Sequence, residues 1–372
     1  MKMYKYFLLL AFCLITACTS EEDNTASTDD DDSSLTFDRS TMLVHWADNI
    51  ILPSYSNFLI DFATLESQFN TFQNEINEVN LTNLRQAWIE AYKSWQRISM
   101  FEIGPAEEDG LRLNINTFPT DVALVESHVT SGVYDFNLPS NRDAKGFPAI
   151  DYLLNGLADN DTAVVAIYAG GNGANYLSYF EDVLVDIKAR VTAVNNAWQN
   201  GYRTTFVENN GSSATASVDR FVNDFIFYYE KFLRAGKMGI PLGVFTGVQV
   251  PNTLESFYYP ELSKDLFLEG LDAVENFFKG VPFESGTAGE SLSSYLAALN
   301  QEPLSEDILN QFSSARSAVE QLQPFRTEIE NNNPAVTMLS AYDEVQKAVA
   351  LLKVDMVSAM NIAIDFVDAD GD

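Results

Sequence analysis

The stretch Gly146–Asp151, GFPAID, places a glycine, a proline and, three residues beyond the proline, a carboxylate at the head of an apolar helical pattern. Residues at i and i+3 share a helix face, so a donor at position 148 and a carboxylate at 151 could grip one ion together. Proline at 148 offers no side-chain donor. The same residues also suffice for a helix start. Proline is tolerated in the first turn, where its missing N–H has no carbonyl waiting for it. Asp151 then lies in or just past that turn, where the helix dipole favours negative charge. Ile150, Leu153, Leu154 and Leu157 supply a stripe for burial.

Other reactive groups are scarce. The cysteines are Cys13 and Cys18 alone, so the chain after them has no disulfide, thiolate ligand or cysteine nucleophile. The histidines are His45 and His128, and no HExxH is present, which excludes a zincin mechanism. His45 precedes Trp46 in the first helical pattern, and His128 ends an acidic run; each is expected to be a satisfied structural histidine. The glycine-rich YAGGNGANY at 168–176 lacks the Lys-Ser/Thr of a P-loop and follows no strand, so it is expected to join two helices. The final DADGD at 368–372 resembles the start of a calcium loop but has no closing glutamate, and reads as an acidic tail.

The elements that must position these groups are helical. Leu84, Trp88, Ala91, Tyr92, Trp95 and Ile98 recur at three- and four-residue spacing. So do Val183, Leu184, Ile187, Val191 and Val194, then Phe267, Leu271, Val274, Phe277 and Phe278, and finally Leu339, Tyr342, Val345, Val349 and Leu352. No alternating run with hairpin turns appears. The fold class is all-α. About 335 residues of helix exceed one four-helix bundle, so two packed bundles are expected, 35–208 and 218–366, with a linker at 209–217 and a tail at 367–372. WQRISMFEIGP at 95–105 and YEKFLRAGKMGIP at 229–241 echo each other as an aromatic helix with a Gly-Pro exit, which points to duplication.

At the N-terminus, Lys2 and Lys5 precede the apolar run 6–15, too short for a membrane span. ITAC at 15–18 resembles a bacterial lipobox, which implies a signal peptide at 1–17 and a lipid on Cys18. Residues 18–34 are then an acidic tether that cannot bury enough apolar area to order itself. The expected location is the cell envelope, lipid-anchored at the outer membrane, with the membrane contacted through the lipid alone. A net charge of −31 repels phosphate backbones, so no nucleic-acid partner is expected.

Several stretches then fall in a recognisable order: NIILPSY at 49–55, WQRISMFEIGP, INTFPTDVALVE at 115–126, GFPAID, and PNTLESFYYPELSKD at 251–265. Together with the lipobox they resemble the imelysin-like, or M75 peptidase-like, family over nearly the whole mature chain. The resemblance implies a fold of two helical bundles and a site near a Gly-x-His-x-x-Glu motif. Gly146 matches its glycine, Pro148 stands at the histidine and Asp151 at the glutamate. The resemblance also implies an envelope role in iron or other metal acquisition, with a transport protein of the envelope as possible partner. Companions for Asp151 from the neighbouring stretches are Arg97, Glu102, Asp121, Glu126, Glu255 and Ser256. Such an oxygen-only set suits a hard cation, iron or calcium, rather than zinc. Arg97 is expected to pair with Glu102 or Asp121. A metallopeptidase needs a metal-activated water and a base; the lost histidine argues against that activity. The alternative is a metal-independent surface module for a protein, haem or glycan.

Overall fold

The first helix shows how local sequence sets the frame. It runs over 39–74 (α1) as Arg39–His45, a widened turn at Trp46–Ile51, and Leu52–Asn74. Pro53 has no N–H, so the carbonyl of Asn49, four residues earlier, loses its helical donor. The chain widens there by one residue, and the Asn49 carbonyl instead accepts from the N–H of Phe283, at 2.8 Å. Beyond the proline, Phe58, Phe62, Leu65, Phe69 and Phe72 follow helical spacing and are buried. Each contributes about 1.5–3 kcal/mol through area removed from water.

The computed structural model describes residues 37–283 and 286–364. The expected signal peptide at 1–17, Cys18, the expected tether and the 367–372 tail lie outside the described residues. Those described belong to one compact unit and are helical, with no strand among them. Helix α2, Glu78–Gln96, is capped by Asn77, whose side chain accepts from the N–H of Asn80. Further along come α3, Val122–Ser131; α4, Gly146–Asp151; and α5, Gly173–Ala197. After them come α6, Ser217–Phe227; α7, Leu262–Lys279; α8, Glu302–Glu320; and α9, Val336–Ala350. Helix α6 continues without a break through the widened segment Tyr228–Gly239. Residues 168–176 span the junction of Asp161–Ala169 with α5, as expected of an inter-helix loop.

Helix α1 packs on α2 and α5, and α4 packs on α5. In the second half α7, α8 and α9 pack in succession, and the continuation of α6 lies against α7 and α9. Helix α2 packs directly on α7, across the 209–217 loop in sequence, and the buried side chains form one continuous cluster. None of the described helices is long and apolar enough to cross a membrane.

Candidate functional site

Helix α4 is fixed at its start by Gly146. Its φ is +74°, and a Cβ there would come within 2.1 Å of the Ile115 carbonyl oxygen. Only glycine allows this approach. Phe147 then stacks on Tyr92 of α2, with centroids 4.5 Å apart and planes 8° apart. Pro148 lies in the first turn, buried, and Asp151 follows it on the same face.

Asp151 is no exposed cap. It is 1% exposed, and both carboxylate oxygens are engaged. Asn155 donates to Oδ1 at 3.0 Å. The backbone N–H of Tyr258 and the hydroxyl of Ser256 donate to Oδ2, at 2.8 and 3.2 Å. Burial pushes the carboxyl up to about 6, against the pull of these donors. The residue therefore joins the start of α4 to a segment more than 100 residues later.

Glu255 lies beside this joint, also buried. Its Oε1 accepts from Gln96 at 3.0 Å and Asn116 at 2.7 Å, and its Oε2 accepts from the ammonium of Lys237. Lys237 also donates to Gln96 Oε1, at 2.8 Å, and Tyr92 donates to Asn116 Oδ1, at 2.6 Å. Burial lowers the Lys237 ammonium pKa, while Glu255 works against that shift. Between the two clusters is a cavity of about 100 Å³ bounded by Pro148, Asp151, Thr120, Glu255, Phe118 and Tyr258. Thr120 Oγ1 is buried there with no hydrogen-bond partner among the described residues.

The structure thus brings Asp151, Glu255 and Ser256 together, and places the other candidates elsewhere. Arg97 corrects its expected pairing: it reaches Glu269 of α7 at 3.3 Å, on the surface, and neither Glu102 nor Asp121. Asp121 caps α3, accepting from the N–H of Leu124. Glu126 accepts from the hydroxyls of Tyr152 and Tyr176. Glu102 lines a different cavity with Asp224. His45 bonds the Gly280 carbonyl, and His128, lowered in pKa by burial, faces the Tyr179 hydroxyl. Neither ring takes the part of the missing motif histidine.

Gln96, Asn116 and Lys237 were not singled out from sequence, and Tyr92 was read only as part of a buried stripe, yet a signal existed for Gln96. Leu84, Trp88, Tyr92 and Gln96 stand four apart, so Gln96 continues the buried stripe. Arg97 is turned about 100° away by one residue of helix. Asn116 and Lys237 lie inside recognised stretches without a fixed spacing to one another.

The imelysin family, peptidase M75, matches residues 51–352. The chain belongs to the imelysin family. An iron-regulated protein A of Synechococcus elongatus is 29% identical over 109 residues, which are 29% of this chain and 30% of that relative's length. An imelysin-like protein from Psychrobacter arcticum shares the fold at a TM-score of 0.70 and 16% identity, covering 88% of this chain and 97% of the other. A Parabacteroides distasonis structure, named for an iron-regulated protein A precursor, has a TM-score of 0.68 and 16% identity, with 86% and 95% covered.

The metal that an imelysin motif implies does not fit the residues present. Pro148 has no donor, and Asp151 already accepts from three. Among the described residues no three His, Cys, Asp or Glu side chains are grouped to hold an ion.

Proposed function

We propose that this imelysin is a lipid-anchored binding protein of the cell envelope that serves iron or other metal acquisition without holding a metal at its motif. It would work beside a transport protein rather than as a peptidase. The link to iron draws on the names carried by its relatives, and the lipid anchor on the lipobox at Cys18. One observation carries the assignment at the motif. Where a histidine would reach for a metal, a buried proline closes the first turn, and the remaining carboxylate is spent on Asn155, Ser256 and Tyr258. No step of metal-assisted hydrolysis is derived from such a site.

Metal titration of the full-length protein in detergent micelles tests this. Fe²⁺, Fe³⁺, Zn²⁺ and Ca²⁺ are followed by calorimetry beside Asp151→Ala. The native protein and the variant should give the same weak, non-saturating heats expected of an acidic surface. A tight site present in the native chain and lost in Asp151→Ala would overturn the reading. The acquisition role is checked separately: a strain lacking the protein should grow more slowly under an iron chelator, and equal growth would remove that part.

A further inference from the structure

A second, larger cavity of about 260 Å³ lies between residues 102–113 and the helix formed by α6 and its continuation. Its charged lining resolves into two closed pairs and one remainder. The Arg112 guanidinium donates to both oxygens of Asp224, at 3.1 and 3.0 Å, and to the Ser99 carbonyl at 2.7 Å. It is further held over the Phe232 ring, 4.5 Å from the centroid. Arg220, nearer solvent, pairs with Glu107. Glu102 is left. Its Oε2 accepts the backbone N–H of Arg112 at 2.8 Å, and its Oε1 has no hydrogen-bond partner among the described residues.

The walls beside this carboxylate are apolar. Phe227 and Phe232 meet edge to face at 5.6 Å, Ile103 and Leu113 complete the apolar part of the lining, and Asn223 adds an amide to it. A carboxyl group with one oxygen open, set against an aromatic wall, calls for a single positive charge on an apolar body. The charge of the whole chain, −31, raises the local concentration of cations and disfavours anions. A metal ion is a poor match, since no three candidate ligands are grouped among the described residues. The volume falls just under the roughly 300 Å³ at which small-molecule pockets begin, which suits a small amine.

We propose that this cavity is a binding site for a small organic monocation, an amine with an aromatic or branched aliphatic body, docked on Glu102 against Phe227 and Phe232. The site is independent of the motif and of the role proposed above. Burial, with Asp224 and Asp109 adding to it and Arg112 opposing it, holds the Glu102 carboxyl up to about 7. A docked cation therefore draws this carboxyl into its charged form.

The test is calorimetry on the full-length protein in micelles with benzylamine, beside benzyl alcohol and benzoate as neutral and anionic analogues of one shape. Benzylamine should bind saturably at one site, and benzoate should not bind. Glu102→Gln should weaken benzylamine by about tenfold or more, the value of a hydrogen bond to a charged group. Leu113→Trp, at an exposed position of the lining, should block the cavity without touching a carboxylate. Thermal unfolding shows which variants are folded; if Glu102→Gln is not, Leu113→Trp decides. Absence of saturable benzylamine binding, equal binding of benzyl alcohol, or full retention by a folded variant would overturn the proposal.

Discussion

Asp151 illustrates how one side chain can keep a motif position while changing its task. A carboxylate accepting from a backbone N–H, a hydroxyl and an amide is a structural joint. Removing it takes this acceptor from the N–H of Tyr258 and the amide of Asn155, each costing about 1–3 kcal/mol when left unmet, while the Ser256 hydroxyl can turn to the Tyr259 carbonyl at 3.2 Å. Asp151→Ala should therefore lose about 2–4 kcal/mol in urea unfolding, a size an exposed helix cap does not reach. Asp151→Asn should also destabilise, because its amide would face another donor. The pH dependence follows from the same burial. The carboxyl of Asp151 stands at about 6 when folded against an ordinary 3.8, that of Asp224 at about 6 against 3.8, and that of Glu102 at about 7 against 4.5. A raised carboxyl means the folded chain binds the proton more tightly. The stabilisation is full below the ordinary value and is lost as pH rises through the folded one. Stability should fall between about pH 4 and pH 7 on account of these groups, and Glu102→Gln should flatten that slope. Melting temperatures across that range decide it; a Glu102→Gln slope identical to the native one would remove Glu102 as a contributor.

At the scale of elements, the position of α4 rests on backbone against backbone. Gly146→Ala must leave φ +74° and push away from the Ile115 carbonyl, which is backbone and cannot swing aside. A loss of about 2 kcal/mol or more is expected, read from denaturant midpoints. An unchanged midpoint would mean that α4 can shift as a body. Helices were the legible part of this sequence because burial of one stripe imposes its spacing directly. The repeats through Trp88, Ile187, Leu271 and Val345 each lie in a helix with that stripe inside. Proline in NIILPSY was visible too, but its consequence was not: the partner of the freed Asn49 carbonyl is Phe283, more than 200 residues away. The meeting of Asp151 with Glu255 and Ser256 was legible through the order of the stretches. Arg97 and Gln96 show the limit. Adjacent residues point about 100° apart, and the more conspicuous charge faces solvent while the amide enters the core.

Across the whole molecule, the two echoing stretches meet in the same buried network. Gln96 comes from the first and Lys237 from the second, and Glu255 joins them 2% exposed to solvent. The arrangement is a charge pair taken almost entirely out of water, with amides from Gln96 and Asn116 completing the shell of the carboxylate. Such a pair is costly to break and much less costly to delete. Desolvation has already been met by the attraction between the partners, so removing one leaves the other charged and alone. Lys237→Met should therefore destabilise by about 3–5 kcal/mol. Adding Glu255→Gln removes the stranded charge while an amide oxygen remains to accept from Gln96 or Asn116. The double variant should be more stable than Lys237→Met alone by at least about 1 kcal/mol, the scale of coupling between groups in contact. Urea midpoints of the four proteins in the cycle measure this. If the double variant is as unstable as the sum of the singles, the two charges are not coupled, and the junction of α2 with the second half is held by apolar packing instead. If coupling is found, the halves are joined by a charge pair whose loss at either end loosens both the α2–α7 contact and the segment that grips Asp151.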